Sequence, residues 1–452
     1  MNRKNSYDST KIREICTELT YGTWRRQKGW QPFVMVKAGD SYFEDEQGKK
    51  FLDMSSQLMC SNLGHGNRRI KDAIIDQLDR FEYAQPSYAT EIRAKVASEL
   101  RDILPSTLVK YFFGSSGTEA NEAAIKTIRM FFQKERKIKI ISNYNSYHGS
   151  TMGSVSLTGD FRRIPVDTFY SSPWIIHTPL PYCYRCPFKL KYPECDIACA
   201  DYNQYVIKEE GNVGGMIIEP VTGTNGVIVP PDGYMKKIRE ITKENDVFLV
   251  ADEVMSGWGR TGEWFAVNNW KVEPDILTTA KGITGAYVPL SLMATSRRIS
   301  DYFDENYFAH GHTYEAHPVA LSAAFAAIRE YKEKDLIRRA KELGNVLKKR
   351  LEEIKERHRS VGDVRSIGLF GAIELVKNRE NKTPFNSYTD KLAGSPMLTD
   401  RIARKAMEEG VYVNNWLNHF VIAPPLIIQE DELLHGMEII DRSLTIADEE
   451  AD

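Results

Sequence analysis

Through the middle of this chain, apolar runs of strand length recur, each followed by small or polar residues and then by a segment of helical character. "LVKYFF" (108–113) leads into "GSSGTEANEAAIKTIRMFF", "IKIIS" (138–142) into "NYNSYHGST", and "GGMIIEP" (214–220) into "VTGTNGV". "VFLVADEV" (247–254) leads into "MSGWGRTG", and "DILTTAK" (275–281) into "GITGAYV". Continuous apolar runs suit strands buried on both faces. Their alternation with helices predicts an α/β fold, a mostly parallel sheet between layers of helices. Ligands of such sheets bind beyond the carboxyl ends of the strands, so the five tails are expected to meet at one crevice.

Each tail carries candidate chemistry. After the first run, Ser116, Gly117 and Thr118 precede a stretch rich in Ala, Glu and Lys that reads as helix. Glycine admits a ligand close to the backbone, and a helix start offers unpaired N–H groups and a positive dipole end; together these suit a phosphate. A tight turn and a Ser- or Thr-capped helix explain the stretch equally well. It is not a Walker loop, since no Gly-Lys-Ser/Thr follows at the required spacing. In the second tail, Tyr147 can cover a planar ligand or pack on its own domain.

Glu219 and Asp252 each end an apolar run, where a carboxylate costs desolvation unless it is paired. Asp252 with Glu253 can bind a metal, act as a base or pair with a ring N–H⁺; a structural ion pair is the alternative for each. Lys281 stands among small residues near the crevice. There its pKa would fall and it would attack carbonyls, whereas a lysine extended into solvent would do neither.

Composition narrows the class. Sixty Lys and Arg nearly cancel 62 Asp and Glu, a net charge of -2, which gives no reason to expect nucleic acid or an anionic membrane as partner. No apolar run approaches the roughly 18–20 residues of a membrane span. The N-terminal "MNRKNSYDSTKIREIC" has no apolar core behind its basic residues. A cytoplasmic protein with six reduced cysteines is therefore expected. With 452 residues, 42% of them hydrophobic, the chain can build a large core and more than one lobe.

A phosphate cradle, an aromatic cover, a buried aspartate and a carbonyl-reactive lysine on successive strand ends fit pyridoxal 5'-phosphate (PLP). The motifs "GSSGTEANEAAIK", "YHGST", "IIEPVTG", "ADEVMSGWGRTG", "TTAKGITGAYVPL" and "HGHTYEAHP" resemble, in order and spacing, the class III PLP-dependent aminotransferases. The likeness runs from about Trp24 to about Leu426. It implies PLP fold type I, with a large cofactor-binding domain (66–325) holding the mostly parallel sheet. A smaller α+β domain would be built from the N-terminal segment (1–65) and the C-terminal part (326–452).

By the same resemblance, Lys281 would bond the cofactor aldehyde and shuttle a proton. Asp252 would pair with the pyridine nitrogen, Val254 would pack under the ring, and Tyr147 would stack over it. Ser116, Gly117 and Thr118 would hold the phosphate. Thr313 would reach the phosphate of the neighbouring subunit's cofactor. Glu219 would hold polar groups near cofactor and substrate, with His148 in a supporting place. The family assembles as a homodimer or a dimer of dimers with active sites at the interface.

Departures from the family bear on substrate. Relatives that use 2-oxoglutarate with ornithine, acetylornithine or 4-aminobutyrate typically carry an arginine after "HG", here Ser150, and often another before "PPL", here Val421. Without these guanidinium clamps such substrates are expected to be disfavoured. "YHGST" instead resembles the amine:pyruvate branch. Yet its mobile arginine corresponds to Asn414, and the aromatic residue of its pocket to Met59, which would leave a roomier apolar pocket lined also by Trp24 and Tyr147.

Arg25, Arg26, Arg162, Arg163 and His419 are then the candidates for the acid-binding group, each expected at the surface. The expected reaction moves an amino group from a terminal-amine donor (ω-amino acid, taurine, diamine or simple amine) to a keto acid, pyruvate above others, through pyridoxamine phosphate. A 2-oxoglutarate-linked 4-aminobutyrate-type aminotransferase, a PLP aminomutase and a decarboxylase are the alternatives.

One motif stands apart. Cys183, Cys186, Cys195 and Cys199 form C-x2-C-x8-C-x3-C, a spacing that suits a structural zinc or other thiolate-bound metal, two disulfides, or four free thiols. Cys16 has no evident partner. Cys60 adjoins the pocket stretch, as a redox-sensitive thiol or a small buried residue.

Overall fold

The computed structural model describes residues 8–167 and 173–452. Residues 1–7, where the N-terminal reading starts, and 168–172 lie outside the described residues.

All five apolar runs are strands of one seven-stranded sheet. Its order is Leu108–Gly114, Ser291–Ser296, Ile276–Thr279, Phe248–Asp252, Val213–Ile218, Lys139–Asn143 and Ile175–Thr178. Ser291–Ser296 runs antiparallel to both neighbours, and the remaining pairings are parallel. Side chains alternate between the faces, as the period of two requires. Phe248 and Val250 pack with Ala124, Ile125 and Ile128 of the helix Gly117–Phe131. Leu249 and Ala251 face the core that holds Met235, Ile238, Leu321 and Ile328, from the helices Tyr234–Glu244 and Pro318–Glu333. Each of the larger apolar side chains among them, when fully buried, contributes roughly 1.5–3 kcal/mol.

Two further sheets flank this core. Met35–Gly39, Tyr42–Asp45 and Lys50–Asp53 form an antiparallel meander, and Val411–Tyr412 joins it parallel to Lys50–Asp53, with Val411 opposite Leu52. Val361–Ile367, Phe370–Leu375, His419–Ile422 and Asn414–Trp416 form a second antiparallel sheet. The loop after Asp53 is stitched to this region: Ser55 Oγ donates to Val421 O (2.6 Å) and Ser56 Oγ to Ala423 O (2.7 Å).

Fully buried Arg260 tightens the same junction. Its Nη1 donates to Leu369 O (3.0 Å) and Pro424 O (2.6 Å), and its Nη2 to Ser56 Oγ (3.2 Å) and Asn62 Oδ1 (2.8 Å). Burial lowers its pKa to about 10.

A buried polar knot ties the second small sheet to the segment around Tyr182. Glu374 accepts from Tyr182 Oη, Arg185 Nε (2.6 Å) and Arg365 Nη1 (2.8 Å). Burial alone would raise the Glu374 pKa, but Arg365, Tyr182 and Arg185 outweigh it and bring it down to about 2 from 4.5. A depressed carboxylate stabilises the fold above its unfolded pKa, and that stability disappears as pH falls through the folded one. Wild-type protein should therefore exceed Glu374→Gln by about 3 kcal/mol near neutrality, with the difference fading between about pH 4.5 and 2. Urea unfolding across that range checks this; a difference that does not change with pH contradicts it.

Among the described residues, no helix is long and apolar enough to cross a membrane.

Candidate active site

Because the strands run parallel, their carboxyl ends share one edge, and the five tails meet there. Asp252 ends the strand Phe248–Asp252 and is 3% exposed. Its Oδ2 accepts from Asn121 Nδ2 (2.8 Å) and contacts His148 Nδ1 (2.7 Å), and its Oδ1 accepts from Val254 N (3.0 Å). These partners fix the buried carboxylate in place. Asn121 is held in turn: it donates to His148 O (2.8 Å) and accepts from Thr278 Oγ1 (2.7 Å). The buried His148 Nε2 has no hydrogen-bond partner among the described residues.

Lys281 follows the strand Ile276–Thr279 with a left-handed backbone (φ 48°), a costly conformation for a residue with a side chain. Burial lowers its pKa; the field of Cys60, Asp252 and Glu219 opposes this, and Arg162 adds to it. Among the described residues, no ion pair or hydrogen bond engages its amine.

Glu219, just after Val213–Ile218, accepts from Tyr147 N (2.8 Å) and Gly223 N (2.9 Å), and burial raises it to about 7. Glu253 points away into its own loop, accepting from Ser256 Oγ (2.5 Å) and Val267 N (2.8 Å); burial raises it too to about 7.

Ser116 caps the helix Gly117–Phe131, its Oγ accepting from Glu119 N (3.4 Å). The first N–H groups of that helix have no intrahelical acceptor. A Cβ on Gly117 would lie 2.8 Å from Val254 Cγ1, so only glycine allows this close approach. Thr118 Oγ1 meets Thr151 Oγ1 at 3.0 Å.

The remaining expected residues divide. Trp24 stands edge-on to Tyr147 at 6.2 Å. Met59 is buried in one cluster with Val221, Val227 and Met255. Asn414 is tied through its N–H to Ser55 Oγ (2.8 Å). Thr313 is exposed, with Tyr83 Oη donating to its carbonyl (3.1 Å).

Of the candidates for acid binding, Arg25 and Arg26 are exposed. His419 is held by burial at about 4, hence uncharged at neutral pH, and its Nε2 lies 2.9 Å from Thr224 O. Arg162 departs from the expected surface position. It is only 8% exposed, with its guanidinium 3.8 Å from the centre of the Tyr147 ring.

Cys183, Cys186, Cys195 and Cys199 line one small cavity with Leu180, Phe188 and Ile197, and all four are free thiols. Burial, and then Cys183 and Cys195 nearby, push Cys199 up to about 12. Among the described residues, no group of three or more His, Cys, Asp or Glu side chains is placed to hold a metal ion.

Sequence reading missed Asn121 and Arg260. Asn121 lies one helical turn after Gly117 and so faces the same crevice, a spacing that could have revealed it.

The residues at this edge fit a phosphorylated pyridine aldehyde: an unpaired amine, a fixed carboxylate, an orphaned imidazole nitrogen and a glycine-tight helix start. Comparison with known proteins agrees. Residues 24–444 match the model of the family described as Aminotransferase class-III, and the chain belongs to that family. It is a PLP enzyme of fold type I.

It is 34% identical to a leucine/methionine racemase of Thermococcus litoralis, over 93% of this chain and 92% of the relative. It is 34% identical to a putrescine–pyruvate aminotransferase of Pseudomonas aeruginosa, over 89% of this chain and 88% of the relative. A solved structure of a taurine:2-oxoglutarate aminotransferase from Bifidobacterium kashiwanohense, in complex with PLP and glutamate, superposes with a TM-score of 0.92 at 35% identity, covering 99% of this chain and 100% of that one.

Proposed function

We propose that this enzyme moves an amino group from a terminal-amine donor (ω-amino acid, taurine, diamine or simple amine) to a keto acid, with pyruvate preferred, in two half-reactions. The observation that carries this reading is the cationic inventory. Ser150, Asn414 and Val421 offer no positive charge, and the guanidinium of Arg162 acts on Lys281. A dicarboxylate such as 2-oxoglutarate gains most from two guanidinium partners, whereas a mono-acid needs one. The likeness to a taurine:2-oxoglutarate aminotransferase favours 2-oxoglutarate as the second reading.

When bound, PLP supplies an aldehyde for the amine and a ring that takes up the electron pair left at the donor carbon. The protein's residues supply the rest. Lys281, with its pKa lowered by burial, can hold a neutral Nζ and move a proton at the donor carbon. Asp252, fixed by Asn121, His148 and the Val254 N–H, would keep a ring nitrogen protonated. Gly117 and Thr118 would meet the phosphate with their N–H groups, beside Ser116, while Val254 and Tyr147 bracket the ring. Glu219 fixes the Tyr147 backbone and orders polar groups on the substrate side. The reading includes a homodimer or dimer of dimers, in which exposed Thr313 reaches the partner's phosphate site.

The test is the absorption spectrum of the purified holoenzyme mixed with one amine at a time and no keto acid. Taurine, β-alanine, putrescine and 1-phenylethylamine are expected to bleach the visible band; glutamate is not. A fast response to glutamate favours the 2-oxoglutarate reading, and no response to any amine overturns both. A second prediction concerns the helix start. Gly117→Ala presses a methyl group against Val254, a clash worth about 1–3 kcal/mol, and should weaken PLP affinity about 10- to 100-fold in titrations of apoenzyme. Unchanged affinity would remove Gly117 from the cradle.

A further inference from the structure

We infer that Arg162 is a fixed acid-recognition group, presenting its guanidinium to a single carboxylate or sulfonate on the substrate. The inference rests on the aminotransferase reading above and names the acid partner that the reading leaves open. In "GDFRRIP", Asp160 caps the short turn Phe161–Arg163. Its carboxylate accepts from Arg162 N (2.9 Å), from Nε (3.1 and 2.9 Å to its two oxygens) and from Nη2. Asn225 Nδ2 donates to Asp160 Oδ2 (3.0 Å) and to Asn145 O (2.6 Å), so the anchor is itself anchored.

Three rings box the guanidinium: Tyr147 at 3.8 Å, Trp416 at 4.9 Å and Trp24 at 5.5 Å. Phe161 stacks on Trp416 at 5.4 Å and holds that wall. Asp160 thus occupies one edge of the fork, and Nη1 makes no hydrogen bond among the described residues.

A planar cation boxed in this way cannot swing aside, unlike a long arginine on a free stem. Its charge reaches the reactive centre, since both Lys281 and Tyr147 feel Arg162. An acid on the remaining Nη1 side would form a charge-assisted hydrogen bond. The expected consequence is selectivity: donors carrying an acid group are captured, and apolar amines leave Nη1 without a partner. Carboxylate and sulfonate share this recognition chemistry, and β-alanine and taurine separate them.

The test uses holoenzyme and its Arg162→Gln and Arg162→Lys variants in the amine half-reaction. In Arg162→Gln, the half-saturating concentrations of β-alanine and taurine should rise about 100-fold more than that of putrescine, with smaller changes in the limiting rates. Arg162→Lys keeps the charge but loses the fork, and should fall between; it decides the matter if the glutamine variant does not fold. A loss confined to one of the two acids restricts the site to that acid. Butyrate and propane-1-sulfonate, which cannot react, should bind wild type in calorimetry and bind the variants at least about 10-fold more weakly. Calorimetry needs no turnover, so it reports on Arg162 even if no amine reacts and the aminotransferase reading fails. Equal losses for all three amines, or unreactive acids bound equally by wild type and variants, overturn the inference.

Discussion

Lys281→Ala enzyme is expected to lose the amine half-reaction by at least about 10⁴-fold while still retaining cofactor. Two functions fall on this one amine. On the proposed reading it would bond the aldehyde and move the proton, because Glu219 is committed to the Tyr147 and Gly223 N–H groups and Asp252 to Asn121, His148 and Val254. Cofactor should remain because the helix start and Asp252 are untouched by the change. Rapid-mixing absorbance with β-alanine or putrescine measures the loss directly, and turnover within about 10-fold of wild type would remove the mechanism. Burial gives a companion expectation for pH. With the Lys281 pKa below its ordinary 10.5, the half-reaction rate should climb with pH and level off before that value.

Arg260→Ala should be the most destabilising single change outside the reacting groups. It removes four hydrogen bonds at once and leaves the carbonyls of Leu369 and Pro424 buried without donors. Each orphaned carbonyl costs about 1–3 kcal/mol, and the total should be about 3–5 kcal/mol. Thermal and denaturant unfolding of holoenzyme measure the change; a loss below about 1 kcal/mol would mean that water replaces the guanidinium. Arg260→Lys should recover only part, since one ammonium cannot serve both sides of the junction.

Much of the reactive edge was legible because each of its residues follows a strand whose apolar run is unmistakable. "VFLVAD" and "DILTT" are strands, so Asp252 and Lys281 had to emerge at neighbouring points of one edge. Two strands of the seven-stranded sheet were not legible. "IIHT" (175–178) is short, and "SLMATS" (291–296) mixes small polar and apolar residues, so neither rises above loop character. The buried place of Arg162 was also hidden. Two adjacent arginines read as surface, and the buried partner Asp160 together with the packing of Tyr147, Trp24 and Trp416 around one of them makes the interior tolerable. The cysteine spacing left a metal, two disulfides and four free thiols open, because spacing alone does not fix how the side chains meet; in the fold the four free thiols line one small cavity.

The pairing of Val411 with Leu52 and the bonds from Ser55 and Ser56 to Val421 and Ala423 also order events in time. Each joins residues about 360 positions apart. During synthesis, the meander that begins near Met35 has to wait, with one edge unpaired, until residues 411–423 have left the ribosome. Nascent chains stalled before residue 411 should therefore lack a seated 55–62 loop, and the segment 411–423 acts as the fastener that closes it.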